Sequence, residues 1–384
     1  MRLFDERTRT YMGPAEHTES SYEFYDRSAL PTIERIRYRL ETWFQNYPSA
    51  GQRELRNRFE TRFPAGFTEL VIHESLKRLY PEVEVDPRVG SEQLRTPDFR
   101  VTESDGQRVY VEATVVTEEP EAERGAERAL AAFYDIINKM DLPDYFVGIH
   151  AVEISKGRTP SARRFKRWLT GWVSSVDYDE MALVAQQARS FGPLSREYAD
   201  GECRLRVSLI PVSPEKRGSS GHRPLGVYPG SSRWGDSSLA IAKKVADKGR
   251  RYPDLDGPLV VVANVVSKWM AGEQDVLRAL FGRDYEDKVV GTIPDADRVW
   301  CGPGGATYTR ISAVGFGTWY PWNLESAELS LVLNPWGERT DGIGELLKLP
   351  HLLVRDGALV RAGGMPFSVL LDIEAGWPGA LFDA

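Results

Sequence analysis

The stretch TPDFRVTESDGQRVYVEAT, Thr96 to Thr114, decides how the middle of this chain folds. Two runs rich in β-forming residues flank Ser104, Asp105 and Gly106, which carry the only strong turn chemistry here, so the segment reads as a β-hairpin. Loop length then fixes which side chains share a face. A two-residue turn, Asp105 and Gly106, pairs Phe99 with Glu112 and Val101 with Tyr110, mixing apolar and charged groups on both faces. A three-residue loop, Ser104 to Gly106 with glycine in the left-handed position, separates them. Phe99, Val101, Val109 and Val111 then line one face, and Asp98, Arg100, Thr102, Arg108, Tyr110 and Glu112 line the other.

In this register Asp98 lies directly across from Glu112. Facing positions hold their Cβ atoms about 4.5–5.5 Å apart, and two carboxylates at that spacing repel unless something positive sits between them. A divalent cation is the simplest candidate, and hard oxygen donors suit Mg²⁺ or Mn²⁺, which bind through one or two carboxylates with waters and phosphate oxygens. The plainer alternative leaves both acids facing solvent at the strand ends, beside Arg100 and Arg108.

Helices and strands alternate around the hairpin. FTELVIHESLKRLY has its apolar residues at helical spacing, after a polar, Arg-rich approach from Pro48 to Gly66, and EVEVDPRV reads as a short strand. AERGAERALAAFYDIINKM reads as a helix, YFVGIHAVEI as a strand, SARRFKRWLTGWVSSV as a helix and RLRVSLIPV as a strand. Residues 213 to 237 are crowded with Ser, Gly, Pro and Arg and read as a loop. SLAIAKKVADKGRRY reads as a helix feeding PLVVVANVV, whose unbroken β-branched run predicts a strand covered on both faces. ISAVGFG, LSLVLN and FSVLLDI follow as strands in a region rich in Gly, Trp and Pro. The pattern predicts an α/β fold with a mixed sheet flanked by helices. It divides into an N-terminal extension (1–60), an α/β core (61–290) and a β-rich C-terminal elaboration (291–384).

The order of these elements resembles the restriction-endonuclease-like superfamily, whose motif is written PD-(D/E)xK. The matching residues are Glu69 in a helix, Pro97 and Asp98 opening one strand, and Glu112 in the next; the helix and strand from Lys243 to Asn264 also look like superfamily members. The resemblance implies a metal-dependent nuclease with Mg²⁺ or Mn²⁺ on Asp98, Glu112 and the Ala113 carbonyl, and with Glu69 as a further or water-mediated ligand. It implies a nucleic-acid partner, DNA by analogy, a role in defence against foreign DNA, and room for a homo-oligomer or partner subunit. Thr114 departs from the pattern, standing where the motif lysine is expected; its hydroxyl positions water but supplies no positive charge. Lys139 and Lys248, from neighbouring helices, are the candidate substitutes. The alternative is an inactive nuclease-fold module that binds DNA or a partner protein.

Composition bounds the remaining classes. A chain of 384 residues with 41% apolar residues holds a substantial core, and a net charge of −7 disfavours bulk coating of nucleic acid while allowing a local groove. Basic clusters at 53–62, 163–167 and 243–251 could meet phosphates or be solvated helix faces. No signal-peptide-length or membrane-spanning apolar run occurs, so a cytoplasmic protein without a membrane partner is expected. The two cysteines, Cys203 and Cys301, form neither a disulfide framework nor a zinc motif. Five histidines show no HExxH spacing, although His73 sits one turn after Glu69. CGPGGATYT lacks the P-loop lysine and reads as a turn, and no GxSxG appears. Facing carboxylates also suit a retaining glycosidase, without a supporting motif. Among ten tryptophans, Trp234, Trp269, Trp300, Trp319, Trp322 and Trp336 are either base-stacking residues or packing for the second half.

Overall fold

The computed structural model describes residues 1–89, 96–117, 124–154, 160–188, 190–201, 203–227, 237–252, 255–266, 272–282, 298–302, 305–340 and 343–379. In chain order the elements begin with α1 (Ser21–Arg27), α2 (Pro31–Asn46), α3 (Gln52–Thr61), α4 (Phe63–Leu79), β1 (Val83–Val85), β2 (Phe99–Thr102) and β3 (Arg108–Val116). Next come α5 (Arg124–Asn138), β4 (Tyr145–Ile154), α6 (Ala162–Val173), α7 (Tyr178–Gln187), β5 (Ser195–Asp200), β6 (Cys203–Pro211) and β7 (Leu225–Val227). The chain continues through α8 (Ser237–Gly249), β8 (Leu259–Val265), α9 (Glu273–Phe281), β9 (Cys301–Gly302), β10 (Gly305–Ala306) and β11 (Ile311–Gly317). It closes with β12 (Ser330–Leu333), β13 (His351–Arg355), β14 (Ala358–Ala362) and α10 (Phe367–Leu370). These form two compact units, one of residues 1–14, 20–118 and 236–384, the other of residues 15–19 and 119–235.

The larger unit is built on an eight-stranded mixed sheet, β1-β2-β3-β8-β11-β12-β13-β14. Its β1, β2 and β3 form an antiparallel meander, and β8 and β11 run parallel to β3. β8 is buried along its whole length, as its unbroken apolar run requires. Gly257 lets the chain enter β8 tightly against β3: a Cβ there would lie 1.9 Å from the Arg108 carbonyl oxygen. One face of the sheet packs Phe99, Val101, Val109, Val111 and Val260 against α2 and α4. The other packs Tyr110, Val261 and Val314 against α8 and α9. Residues 1–60 and 291–384, set apart in the sequence as extension and elaboration, supply side chains such as Trp43, Phe59, Trp319 and Leu331 to the same apolar cluster as β2 and β3.

The smaller unit has a four-stranded sheet, β5-β6-β4-β7, in which β7 alone runs parallel to its neighbour. Phe133 of α5, Phe165 and Trp172 of α6 and Tyr178 of α7 pack with the inward residues of β4 and β6.

Several sequence readings are corrected. FSVLLDI is a short helix, α10, because Phe367, Leu370 and Leu371 recur at helical spacing and are buried together. The approach from Pro48 to Gly66 contains α3 and the start of α4, since Leu55 and Phe59 form an apolar stripe beneath the arginines. The segment from 213 to 237 carries β7, which the serine and glycine content concealed. Residues 228–236 of that segment lie outside the described residues, as do Gly291, Trp234 and Trp269. Trp300 and Trp319 are core residues with no exposed surface and offer no face for a base; partly buried Trp336 packs against the α8–α9 core. Trp322 is 48% exposed and stacks on Tyr320.

The hairpin core makes a direct prediction. Phe99 is fully buried, so Phe99→Ala should cost about 3–5 kcal/mol, read as a lowered urea midpoint with an unchanged slope; a loss below about 1 kcal/mol would contradict the packing described.

Candidate active site

β2 and β3 pair Phe99 with Val111, Arg100 with Tyr110, Val101 with Val109 and Thr102 with Arg108. The loop closes through Glu103 N–H to the Gln107 carbonyl and Gly106 N–H to the Glu103 carbonyl, with Gly106 at φ +87°. This is the register with a three-residue loop, and it places Asp98 opposite Glu112. Past Phe99 the β2 ladder ends, leaving the Ala113 N–H without a strand partner on that edge; it donates instead to Asp98 Oδ2 at 2.8 Å. The N–H and C=O of one strand residue point to the same neighbour, so the Ala113 carbonyl faces this edge as well.

Glu112 shares its face with Tyr110, the face covered by α8. Ile241 and Val245 anchor α8 there, and Lys248 in its last turn extends over the strand end. The Lys248 ammonium contacts Glu112 Oε2 and lies 3.6 Å from Asp98 Oδ2. The other Glu112 oxygen, Oε1, accepts from the Tyr252 hydroxyl, which also lies 2.9 Å from the Thr96 carbonyl. Asp98 keeps 22% of its side chain exposed and Lys248 13%, against 1% for Glu112. Burial is the main force holding the Glu112 carboxyl well above the usual carboxylate range; the Asp98 charge pushes the same way, and Lys248 opposes both. The two acids do not both ionise freely beside a single ammonium.

Among the described residues no group of three or more His, Cys, Asp or Glu side chains could hold a metal ion. A cation at this edge would rest on Asp98, Glu112 and the Ala113 carbonyl, completed by water or substrate oxygens, and that donor set fits Mg²⁺ or Mn²⁺.

Glu69 is not brought into the pair. α4 packs on the opposite sheet face from Glu112, and both Glu69 oxygens are engaged there, Oε1 by the Tyr47 hydroxyl at 2.7 Å and Oε2 by Arg58. His73 is buried beside Tyr47 and Phe99 on that same side, and its Nδ1 has no hydrogen-bond partner among the described residues. Thr114 is buried two residues beyond Glu112 on the same strand face. Lys139 is exposed, follows α5 and belongs to the smaller unit. Of the two candidate lysines, Lys248 is the one that contacts Glu112. Tyr252 escaped the sequence reading; its place four residues after Lys248, in the turn entering β8, was the available signal.

Comparisons with family models, with curated proteins and with solved structures find no match. No helix among the described residues is long and apolar enough to cross a membrane.

His73 gives a pH prediction. Burial lowers its pKa from 6.5 to about 4, so the folded state binds fewer protons than the unfolded chain between those values. The stability it contributes is fully present above pH 6.5 and is lost as pH falls through about 4, to an extent of about 3 kcal/mol. His73→Leu should flatten this limb of the stability profile, measured by urea unfolding from pH 7 to 4; an unchanged slope would show that His73 titrates normally.

Proposed function

We propose that this protein is a metal-dependent nuclease of the restriction-endonuclease-like type, hydrolysing phosphodiester bonds in nucleic acid, with DNA the favoured polymer and defence against foreign DNA the favoured role. The observation that carries the reading is the convergence of Asp98, Glu112 and Lys248 where the β2 ladder ends, with the two acids sharing a single ammonium. The succession α4, β1, β2, β3, then α8 and β8, with β8 parallel to β3, supports the resemblance. Exposed Lys243 and Lys244 on α8, with Arg250 and Arg251 just past it, offer phosphate contacts beside Lys248.

Asp98 and Glu112 would hold Mg²⁺ or Mn²⁺ together with the Ala113 carbonyl. The ion would polarise the scissile phosphate and acidify a water molecule. Lys248, on its flexible stem, would yield the space between the acids and turn its ammonium toward the attacking water and the developing charge on phosphorus, the role of the lysine absent at Thr114. Asp98, partly exposed, forms the entrance; buried Glu112 forms the fixed wall.

One observation favours a second reading, an inactive module that binds DNA or a partner protein: the Lys248 ammonium already lies between the two acids.

Incubation of the purified protein with supercoiled plasmid and single-stranded DNA, with Mg²⁺, Mn²⁺ or EDTA, separates these readings. Cleavage should require metal, vanish in Asp98→Ala and Glu112→Ala, and fall about 10²- to 10³-fold in Lys248→Ala. Cleavage surviving either acid substitution would place the chemistry elsewhere, and binding without metal-dependent cleavage would establish the inactive module.

A further inference from the structure

We propose that Tyr252 is a positioning residue for this site, its hydroxyl holding the Glu112 carboxylate in the orientation that faces Asp98. The inference rests on the reading of Asp98 and Glu112 as the cation-holding pair.

The strand register fixes where the Glu112 side chain starts but not the direction of its carboxylate, which three further torsions leave free. Lys248 and Tyr252 each take one of its oxygens, beside a side-chain hydrogen bond with Asp98. Lys248 holds Oε2, but its long stem is the part of the site that must move when a metal ion enters. Tyr252 holds Oε1 and has only two side-chain torsions, with its ring 2% exposed and packed in the apolar cluster of β3, α8 and β8. It is the rigid contact of the two.

The same hydroxyl lies 2.9 Å from the carbonyl of Thr96, two residues before Asp98. Tyr252 thereby spans the site from the chain entering β2 to the acid on β3. A hydroxyl has one proton, so it serves one of these two acceptors at a time. Phenylalanine would fill the same apolar space, so packing alone does not call for the hydroxyl. Its placement tunes the separation and orientation of the two acids, as groups hydrogen-bonded to metal-binding carboxylates do.

The test uses the full chain and the Tyr252→Phe variant, which keeps the ring. Calorimetric titration of metal-free protein with Mn²⁺ should show binding about 10- to 100-fold weaker in the variant. DNA cleavage should show the half-saturating Mn²⁺ concentration rising by the same factor, with kcat recovering at saturating metal. The crystal structure of the metal-free variant should show the Glu112 carboxylate turned away from Asp98. A merely structural tyrosine would lower the urea midpoint and leave the Mn²⁺ affinity unchanged, and wild-type affinity with an unmoved Glu112 overturns the proposal. If the wild-type protein binds no Mn²⁺, the reading of the acid pair fails separately; a turned Glu112 in the variant still supports the clamp, and an unmoved one overturns it.

Discussion

A carboxylate with almost no solvent, held midway along a central strand, is the constraint around which the larger unit is arranged. Removing an ionised acid from water costs several kcal/mol even after relaxation, and Glu112 faces a second acid besides. The structure meets that cost from three directions. Lys248 arrives from α8 with a charge, Tyr252 arrives from the following turn with a hydrogen bond, and the Ala113 N–H draws Asp98 to a fixed place on the strand edge. Each contact offsets part of the cost, and the raised Glu112 pKa records what is left over.

That unmet cost links the architecture to chemistry. The parallel pairing of β3 with β8 puts α8 on the Glu112 side of the sheet, and the tight entry at Gly257 keeps the turn after α8 close enough for Tyr252 to reach. On the other sheet face, Glu69, Tyr47 and Arg58 form a closed arrangement in which each carboxylate oxygen already has a partner. The two faces thus differ in kind: a satisfied ion pair near α4, and two acids sharing a single ammonium near α8.

The hairpin was legible in the sequence because its two faces sort only in one register, and because Gly106 marks the left-handed position of the loop. β8 was legible for a similar reason, an apolar run in which Asn264 is the one polar residue. The fate of Glu69 was not, since helical spacing does not say which face of a sheet the helix will cover. Lys248 and Lys139 were equivalent as sequence candidates; only the packing of Ile241 and Val245 aims Lys248 at Glu112. FSVLLDI misled because a short apolar run fits strand and helix alike. Tyr252 was hidden because its spacing from Lys248 is the single cue that a lone aromatic offers, although its hydroxyl proves to be a contact of Glu112.

The most direct measurement is an anomalous difference map from a crystal soaked in Mn²⁺. A peak between the Asp98 and Glu112 carboxylates, within coordination distance of the Ala113 carbonyl and with the Lys248 ammonium displaced toward solvent, is the predicted result. Density with no manganese there, and Lys248 still bridging the two acids at saturating metal, would contradict the assignment of this edge as a cation site.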